Sequence, residues 1–286
     1  MKNKKSRNTQ GMRQWKKFKR NKMAVIALIV LGILIFASAF APLLTSYDPE
    51  AISLTERTLA PSKTHLLGTD KVGRDVFTRL LYGGRISILI GLTGALGGAI
   101  IGAALGCLGG YFGGLLDRFL LRLSELFTTF PQTILVLILV AFMGQGVWNL
   151  FIVFWCTGWM GTYRMTRAKI LSLREETYVL ACQAFGISNR SIMFCHILPN
   201  AAGPVIVNIT LSTAGYVLQE SALSFLGLGV PSSTPTWGNI FNAAKALDVV
   251  QAYPWLWLAP GIAISLFVLS VNIIGDGLRD ALDPNQ

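Results

Sequence analysis

The sequence predicts an all-α membrane protein with six transmembrane helices and both termini on the cytoplasmic side. The first observation behind this prediction is that only 14% of the 286 residues are charged while 52% are hydrophobic, whereas soluble domains average about 25% charged. The second is that the charges cluster between long uncharged runs, and that the Lys/Arg content of these clusters alternates between high and low along the chain. This pattern is typical of a chain that crosses a bilayer several times.

The uncharged runs place the helices. The run over 23–44 is longer than the apolar core of a signal peptide and long enough to span a bilayer, so it predicts a retained first helix. No charge occurs over the 38 residues from Leu126 to Tyr163, which are too many for one crossing of a ~30 Å core. Gly144-Gln145-Gly146 divides this run into two helices, and Pro131 is expected to kink the first of them. The five further helices are expected at about 86–111, 120–143, 147–165, 201–225 and 255–275.

The Lys/Arg distribution sets the predicted orientation. A basic tail over 1–22 holds ten Lys/Arg and no acid, so a net charge of +11 leaves only +1 for the rest of the chain. The segment over 45–84 is balanced in charge and is expected outside. The connection over 166–200, within a core over 85–275, and the tail over 276–286 are expected inside. Because the excess charge lies next to an apolar run, it indicates topology and contact with membrane lipid, and it argues against nucleic acid as a partner.

Glycines recur every four residues along the second predicted helix. Residues four apart lie on one face, so a row without side chains allows a neighbouring helix to approach closely. Tight helix packing is the simpler interpretation, and a surface that slides during gating is the alternative. The row consists of Gly94, Gly98, Gly102, Gly106, Gly110 and Gly114.

The sequence offers no candidate catalytic site. The nearest approach to a phosphate-binding loop has Arg74 and Asp75 where Lys and Ser/Thr are required. His65 and His196 are expected on opposite sides of the membrane, and the four cysteines lack the spacing of metal ligands. We therefore expect no catalysis, no metal and no bound cofactor in this chain.

Glu220 is the one acid in the long apolar run from Ile192 to Lys245. An acid inside a membrane is a candidate for function, and the alternative is a solvated position near the outer end of the fifth predicted helix. A proton-coupled carrier would require several such groups, so a single one argues against that class.

The connection over 166–200 is long for a link between helices, where about 2–8 residues are usual. Residues 175–185 favour a short helix with two Glu in its first turn, where the helix dipole favours acids. Gly186 fits its C-terminal cap. Ser188 is expected to cap a second helix that ends before Pro199.

This connection resembles the EAA loop of ABC importer permeases, in which two small residues precede a Gly and a later Leu-Pro. In that family the first short helix docks into a cleft on the ATPase subunit and transmits its closure. The sequence departs from the pattern at Leu180, where Glu is usual, and at Cys182, where Ala is usual. The resemblance implies an ATPase-coupling surface formed by Tyr178, Ala181, Cys182, Ala184, Phe185 and Gly186.

Further stretches are similar to the C-type subunit of the dipeptide/oligopeptide/nickel permease group, namely 65–77, 220–229, 235–238 and 275–280. With the EAA-type loop they extend the resemblance over nearly the whole chain after the basic tail. The resemblance implies a type I ABC importer permease fold in a bacterial inner membrane. It also implies uptake of small peptides, with nickel or a metal chelate as the alternative substrate in the same family.

The resemblance implies a multi-subunit assembly as well. The partners would be a homologous B-type permease, one or two cytoplasmic ABC ATPase subunits that bind ATP and Mg, and an extracytoplasmic substrate-binding protein. The implied mechanism is alternating access, in which ATP binding closes the ATPases and moves the connection over 166–200 with them. On this interpretation the chain is not itself an enzyme.

Overall fold

The computed structural model describes residues 15–282, which form helices and no β-strand beyond one isolated bridge between Thr69 and Asp75. Short helical turns occur at 15–20 and 242–245 and at Ala41–Leu44. The main helices are α1 (Lys22–Ala39), α2 (Val76–Phe112), α3 (Gly114–Thr128), α4 (Gln132–Met143), α5 (Val147–Arg174), α6 (Thr177–Ala184), α7 (Asn189–Leu226), α8 (Trp237–Phe241), α9 (Leu247–Ala252) and α10 (Trp255–Leu282).

Within the described residues, four helices are long and apolar enough to cross a membrane: α1, α2, α7 and α10. Helices α3 and α4 form a fifth apolar unit, which is bent by 90°. Helix α5 has 28 residues and sufficient length, but its second half contains four basic residues and its first half several polar and small ones, which make it less apolar. The structure thus contains four or five apolar spans.

The helix predicted over 120–143 is wrong as a single helix. The chain breaks at Thr129–Pro131, and α3 and α4 meet at 90° rather than at a modest kink. Proline has no amide hydrogen for the helical ladder, and it also forces the preceding residue out of the helical region. Pro131 therefore ends one helix and begins another.

Helix α2 begins at Val76 rather than near residue 86. The side chain of Asp75 caps it by accepting from the amide of Thr78 at 2.7 Å. Arg79 and Arg85, whose charges indicated a loop, donate to distant backbone carbonyls instead. The guanidinium of Arg79 reaches Ser232 O at 3.0 Å, and that of Arg85 reaches Ser38 O at 2.6 Å.

The helix that is predicted to end before Pro199 does not end there. Instead α7 is continuous through a π-helical turn at Ile192–Ile197 and an α-helix at Leu198–Leu226. Pro199 lies directly after the π-helical turn, in the first turn of the α-helical part, and the change in hydrogen-bond pattern there accommodates the missing amide hydrogen. Ser188 caps the start of α7 as expected, by accepting from the amide of Ser191 at 3.4 Å.

Helix α2 packs along α5 through the glycine row. A β-carbon added at Gly98 would lie 3.0 Å from the backbone of Gly158, and one added at Gly106 would lie 2.7 Å from Tyr163 O. The two backbones are therefore in direct contact over several turns. The same face contains Gly94, Gly102 and Gly110, which meet Phe154, Trp159 and Arg167. Gly114 differs, because it begins α3 and has no such neighbour.

The remaining helices surround this pair. Helix α10 packs between α1 and α7, with Ile274 against Ala24 of α1 and Phe267 against Val217 of α7. The loops form two ends of the bundle. The α8 end contains the segment before α2 and the helices α8 and α9, and the α6 end contains α6 and the start of α7.

Gly102→Ala should lower the thermal unfolding midpoint of the purified protein in detergent. The added methyl would collide with the Trp159 carbonyl and with Thr162, and overpacking of this kind costs about 1–3 kcal/mol. The matched control is Gly161→Ala on α5, where nothing lies within 4 Å of the added carbon. Because Ala is the better helix former, the control should leave the midpoint unchanged or raise it. Equal midpoints for the two variants would contradict the packing role of the glycine row.

Candidate functional site

Helix α6 is a short helix with well-formed ends. Its carboxyl end closes in a Schellman motif: the amide of Ile187 donates to Cys182 O at 3.1 Å, and that of Gly186 donates to Gln183 O at 2.9 Å. Gly186 has φ of +72°, a conformation that residues with a side chain rarely adopt. The local sequence therefore fixes where α6 stops and where the chain turns toward α7.

One side of α6 is buried and the rest is exposed. Val179 is fully buried and packs with Ile170 and Leu173 of α5 and with Ile192 and Met193 of α7. The residues predicted from the EAA resemblance lie mostly on the exposed side. Ala181, Ala184 and Gly186 are exposed, Cys182 is half-buried, Tyr178 is 39% exposed, and Phe185 is 85% exposed.

The attachment of α6 connects it to the central helices. The apolar cluster around Val179 also contains Cys107 of α2 and Ile197 of the π-helical turn. The hydroxyl of Tyr178 accepts from Asn200 Nδ2 of α7 at 3.4 Å. A displacement of α6 would therefore act on α2, α5 and α7 together.

An ion pair fixes the start of α3 to α5 close to this end. Arg167 donates from Nε to Oδ1 of Asp117 at 2.5 Å and from Nη2 to Oδ2 at 2.6 Å. Tyr163 OH also donates to Asp117 Oδ1, at 3.3 Å. A bidentate, partly buried pair of this kind is stronger and more directional than a surface ion pair. The sequence showed Arg167 only as a topology signal, because its partner lies fifty positions away.

Glu220 lies near the α8 end of α7 and is fully buried, so the solvated alternative is wrong. Its carboxyl group accepts from Ser224 Oγ at 2.7 Å and from Ser87 Oγ of α2 at 3.3 Å. Ser87 Oγ in turn accepts from the amide of Trp237, the first residue of α8, at 3.0 Å. Glu220 thus joins α7, α2 and α8 in one buried polar network.

Hydrogen bonds to two acidic residues, Asp70 and Asp75, hold the segment before α2 in its conformation. Asp75 accepts from Thr78 and pairs with His65 Nδ1 at 2.9 Å. Asp70 accepts from the amide of Val72 and from Arg74 Nε, the latter at 2.7 Å. The stretch that resembled a phosphate-binding loop is therefore a capped turn that leads into α2.

An exposed contact joins this segment to α9. Lys71 Nζ donates to Asp248 Oδ2 at 3.1 Å, and this hydrogen bond lowers the pKa of Asp248. Both side chains are half exposed or more, so the pair is screened by water and contributes little to stability.

Comparison with known proteins identifies the family. Residues 87–286 match the family described as "Binding-protein-dependent transport system inner membrane component", and residues 9–61 match "N-terminal TM domain of oligopeptide transport permease C". The first match covers more than half of the chain. The chain belongs to this permease family. It is accordingly a multi-pass inner-membrane protein, in agreement with its long apolar helices.

Curated relatives cover nearly all of the permease. It is 40% identical over 272 residues to the dipeptide transport system permease protein DppC of Alkalihalophilus pseudofirmus, which covers 95% of this chain and 89% of the relative. It is 36% identical over 268 residues to the oligopeptide transport system permease protein OppC of Bacillus subtilis, with coverages of 94% and 87%. It is 38% identical over 273 residues to OppC of Haemophilus influenzae, with coverages of 95% and 87%. The predicted resemblance to C-type permease subunits is confirmed.

The predicted functional residues lie in three separate parts of the permease. The α6 surface lies at one end of the bundle, the glycine row lies inside it, and Glu220 lies toward the other end. Helices α2 and α7 connect them, because both helices contact α6 at one end and meet at Glu220 toward the other. The partners of Glu220 could not be predicted from residue patterns, because Ser87 and Trp237 lie far from Glu220 along the chain or in a different helix.

Glu220→Ala should destabilise the permease by about 1–3 kcal/mol, because the Ser87 and Ser224 hydroxyls lose their buried acceptor. Thermal unfolding in detergent measures the effect. The matched control is Glu125→Ala, which removes an exposed acid paired with Arg122 at 3.0 Å, a contact worth about 0–1 kcal/mol. A loss for Glu220→Ala no larger than that of the control would refute the buried network as a stabilising element.

Proposed function

We propose that this permease is a transmembrane subunit of an ATP-driven ABC importer that takes up dipeptides and oligopeptides. The relatives that share 36–40% of its sequence over nearly its full length are dipeptide and oligopeptide permease proteins. The observation that carries the proposal is α6, an exposed helix anchored through Val179 to α2, α5 and α7. In a permease without a nucleotide-binding motif, such a helix supplies the contact through which a separate motor acts.

The proposed topology has six crossings. They are α1, α2, the bent unit α3–α4, α5, α7 and α10. With the basic tail over 1–22 inside, an even number of crossings returns the C-terminus to the cytoplasm. The α6 end is then cytoplasmic and the α8 end extracytoplasmic, which places 45–75 and α8–α9 where a substrate-binding protein would approach.

The proposed partners follow from this arrangement. One or two ATPase subunits, which bind the ATP and Mg, dock on α6, and a homologous B-type permease completes the pathway. An extracytoplasmic binding protein delivers the substrate. The basic charge of the tail favours anionic membrane lipid as a further partner, although residues 1–14 of this tail lie outside the described part of the chain. No catalytic residue and no cofactor are assigned to this chain.

The proposed motion begins at α6. When ATP closes the motor subunits, α6 moves with them and pulls the apolar cluster around Val179, to which α2, α5 and α7 belong. Because α7 is continuous from this cluster to Glu220, the movement reaches the α8 end of the bundle. Each bound partner shifts the equilibrium between conformations only by its difference in affinity for them.

Peptides are favoured over nickel as the substrate. The relatives described above are named for dipeptides and oligopeptides, and the similarity covers both the N-terminal region and the core. Proteoliposomes that contain the complete importer, with the ATPase subunits and ATP in the lumen and the binding protein outside, should accumulate labelled dipeptide. Accumulation of Ni²⁺ without accumulation of peptide would refute the proposal.

Ala184→Arg should abolish co-purification of the ATPase subunits while the second permease is retained. A large cation on the exposed small-residue side of α6 would prevent close approach, and the buried anchor at Val179 would be unaffected. The matched control is Ser172→Arg, an exposed position on the last turns of α5. Retention of the ATPases by Ala184→Arg, or their equal loss from both variants, would contradict docking on α6.

A further inference from the structure

A half-open cavity of about 390 Å³ lies between the start of α4 and one face of α7. On α7 it is lined by Ser212, Gly215, Tyr216, Leu218, Gln219 and Ala222, most of which recur at helical spacing and so share one face. On α4 it is lined by the first two residues after the break at Pro131. The cavity thus exists because the α3–α4 unit is bent.

The lining of this cavity has a definite chemistry. Gln132 and Thr133 of α4 face it together with Ser212 and Gln219 of α7, and none of its lining residues is charged. A glutamine amide offers both hydrogen-bond donors and an acceptor, and a hydroxyl can act as either. The small residues between them leave the space open.

Lipid is a poor occupant for this surface. Amide and hydroxyl groups at membrane depth require hydrogen-bond partners, and in known membrane proteins they face the bundle interior or a water-filled path. A cavity of a few hundred Å³ with a small number of placed polar groups fits a small molecule. The occupant must therefore be small, able to donate and accept hydrogen bonds, and partly apolar where it meets Tyr216 and Leu218.

We propose that this cavity binds the peptide bonds of the transported peptide, and the proposal rests on the function proposed above. Each peptide bond presents one N–H donor and one C=O acceptor, which a glutamine side chain can pair simultaneously. A site that pairs with the backbone is indifferent to the peptide's side chains. Without charges in the lining, acidic and basic peptides are treated alike.

Glu220 positions the α7 side of this site. Gln219 is partly exposed to the cavity, while the next residue, Glu220, is fully buried on the other side of the helix. Glu220 accepts a hydrogen bond from Ser87 Oγ of α2 at 3.3 Å, and this contact between helices restrains the rotation of α7 at this level. That rotation directs Gln219 toward α4.

The test uses the complete importer in proteoliposomes with its binding protein and ATP, and compares Gln219→Leu and Gln132→Leu with wild type. Two labelled dipeptides are used, one with an acidic and one with a basic side chain. Loss of one hydrogen bond to the passing peptide should lower the maximal uptake rate of both dipeptides by roughly tenfold. Thr93→Val on α2 is the matched control and should transport normally, because the Thr93 hydroxyl donates to Leu89 O and Ile90 O of its own helix and lies outside the cavity.

Each other result counts against the inference. Normal uptake by both cavity variants would overturn it, and so would a loss for only one dipeptide, since that would show recognition of side chains. Loss of the second permease from the purified complex would assign this face to the subunit interface instead. If the wild-type importer carries no peptide, the proposed function fails and this site fails with it, whereas normal wild-type uptake with normal variant uptake removes the site alone.

Discussion

The other helices of the permease are arranged around the direct contact between the backbones of α2 and α5. In a membrane, apolar side chains gain little by leaving lipid for protein, so helices associate through close packing and through polar contacts. The glycine row of α2 makes close packing possible from Gly94 to Gly110. At one end of the pair lies the cluster that holds α6, with Cys107, Ile170 and Val179 in contact. At the other end, Ser87 of α2 reaches Glu220.

Two kinds of link extend from this pair. At the α6 end the links are mostly apolar, and the polar contacts there include the ion pair between Asp117 and Arg167 and the hydrogen bond from Asn200 to Tyr178. At the α8 end a buried polar network adds to the apolar packing, because Ser87 of α2 donates to Glu220 of α7 and accepts from the amide of Trp237 of α8. Helix α7 takes part in both. At a rise of 1.5 Å per residue, a helix of 38 residues extends about 57 Å, enough to join the two ends without an intervening loop.

Some of this structure was predictable because local chemistry determines it. The turn at Gly186 requires a residue that tolerates positive φ, and the glycine row has a period that matches one helix face. The start of α2 was not predictable, because the carbonyls that satisfy Arg79 and Arg85 are brought there only by the fold. The burial of Glu220 could not be predicted for the same reason, because it depends on α8, which covers Glu220. The cavity combines Gln132 with Gln219, which are adjacent only because Pro131 turns the chain.

The π-helical turn at Ile192–Ile197 sets the angle, about the helix axis, between the residues of α7 on its two sides. A π turn adds one residue to a helix, and each residue of an α-helix corresponds to about 100° of rotation about its axis. Ile192, Met193 and Ile197, which pack in the cluster around Val179, lie in this turn, whereas Ser212, Gln219 and Glu220 lie after it. The extra residue therefore sets the phase between the face that contacts α6 and the face that lines the cavity. If the turn relaxed to regular α-helix, the two faces would be displaced around the axis by about a quarter of a revolution.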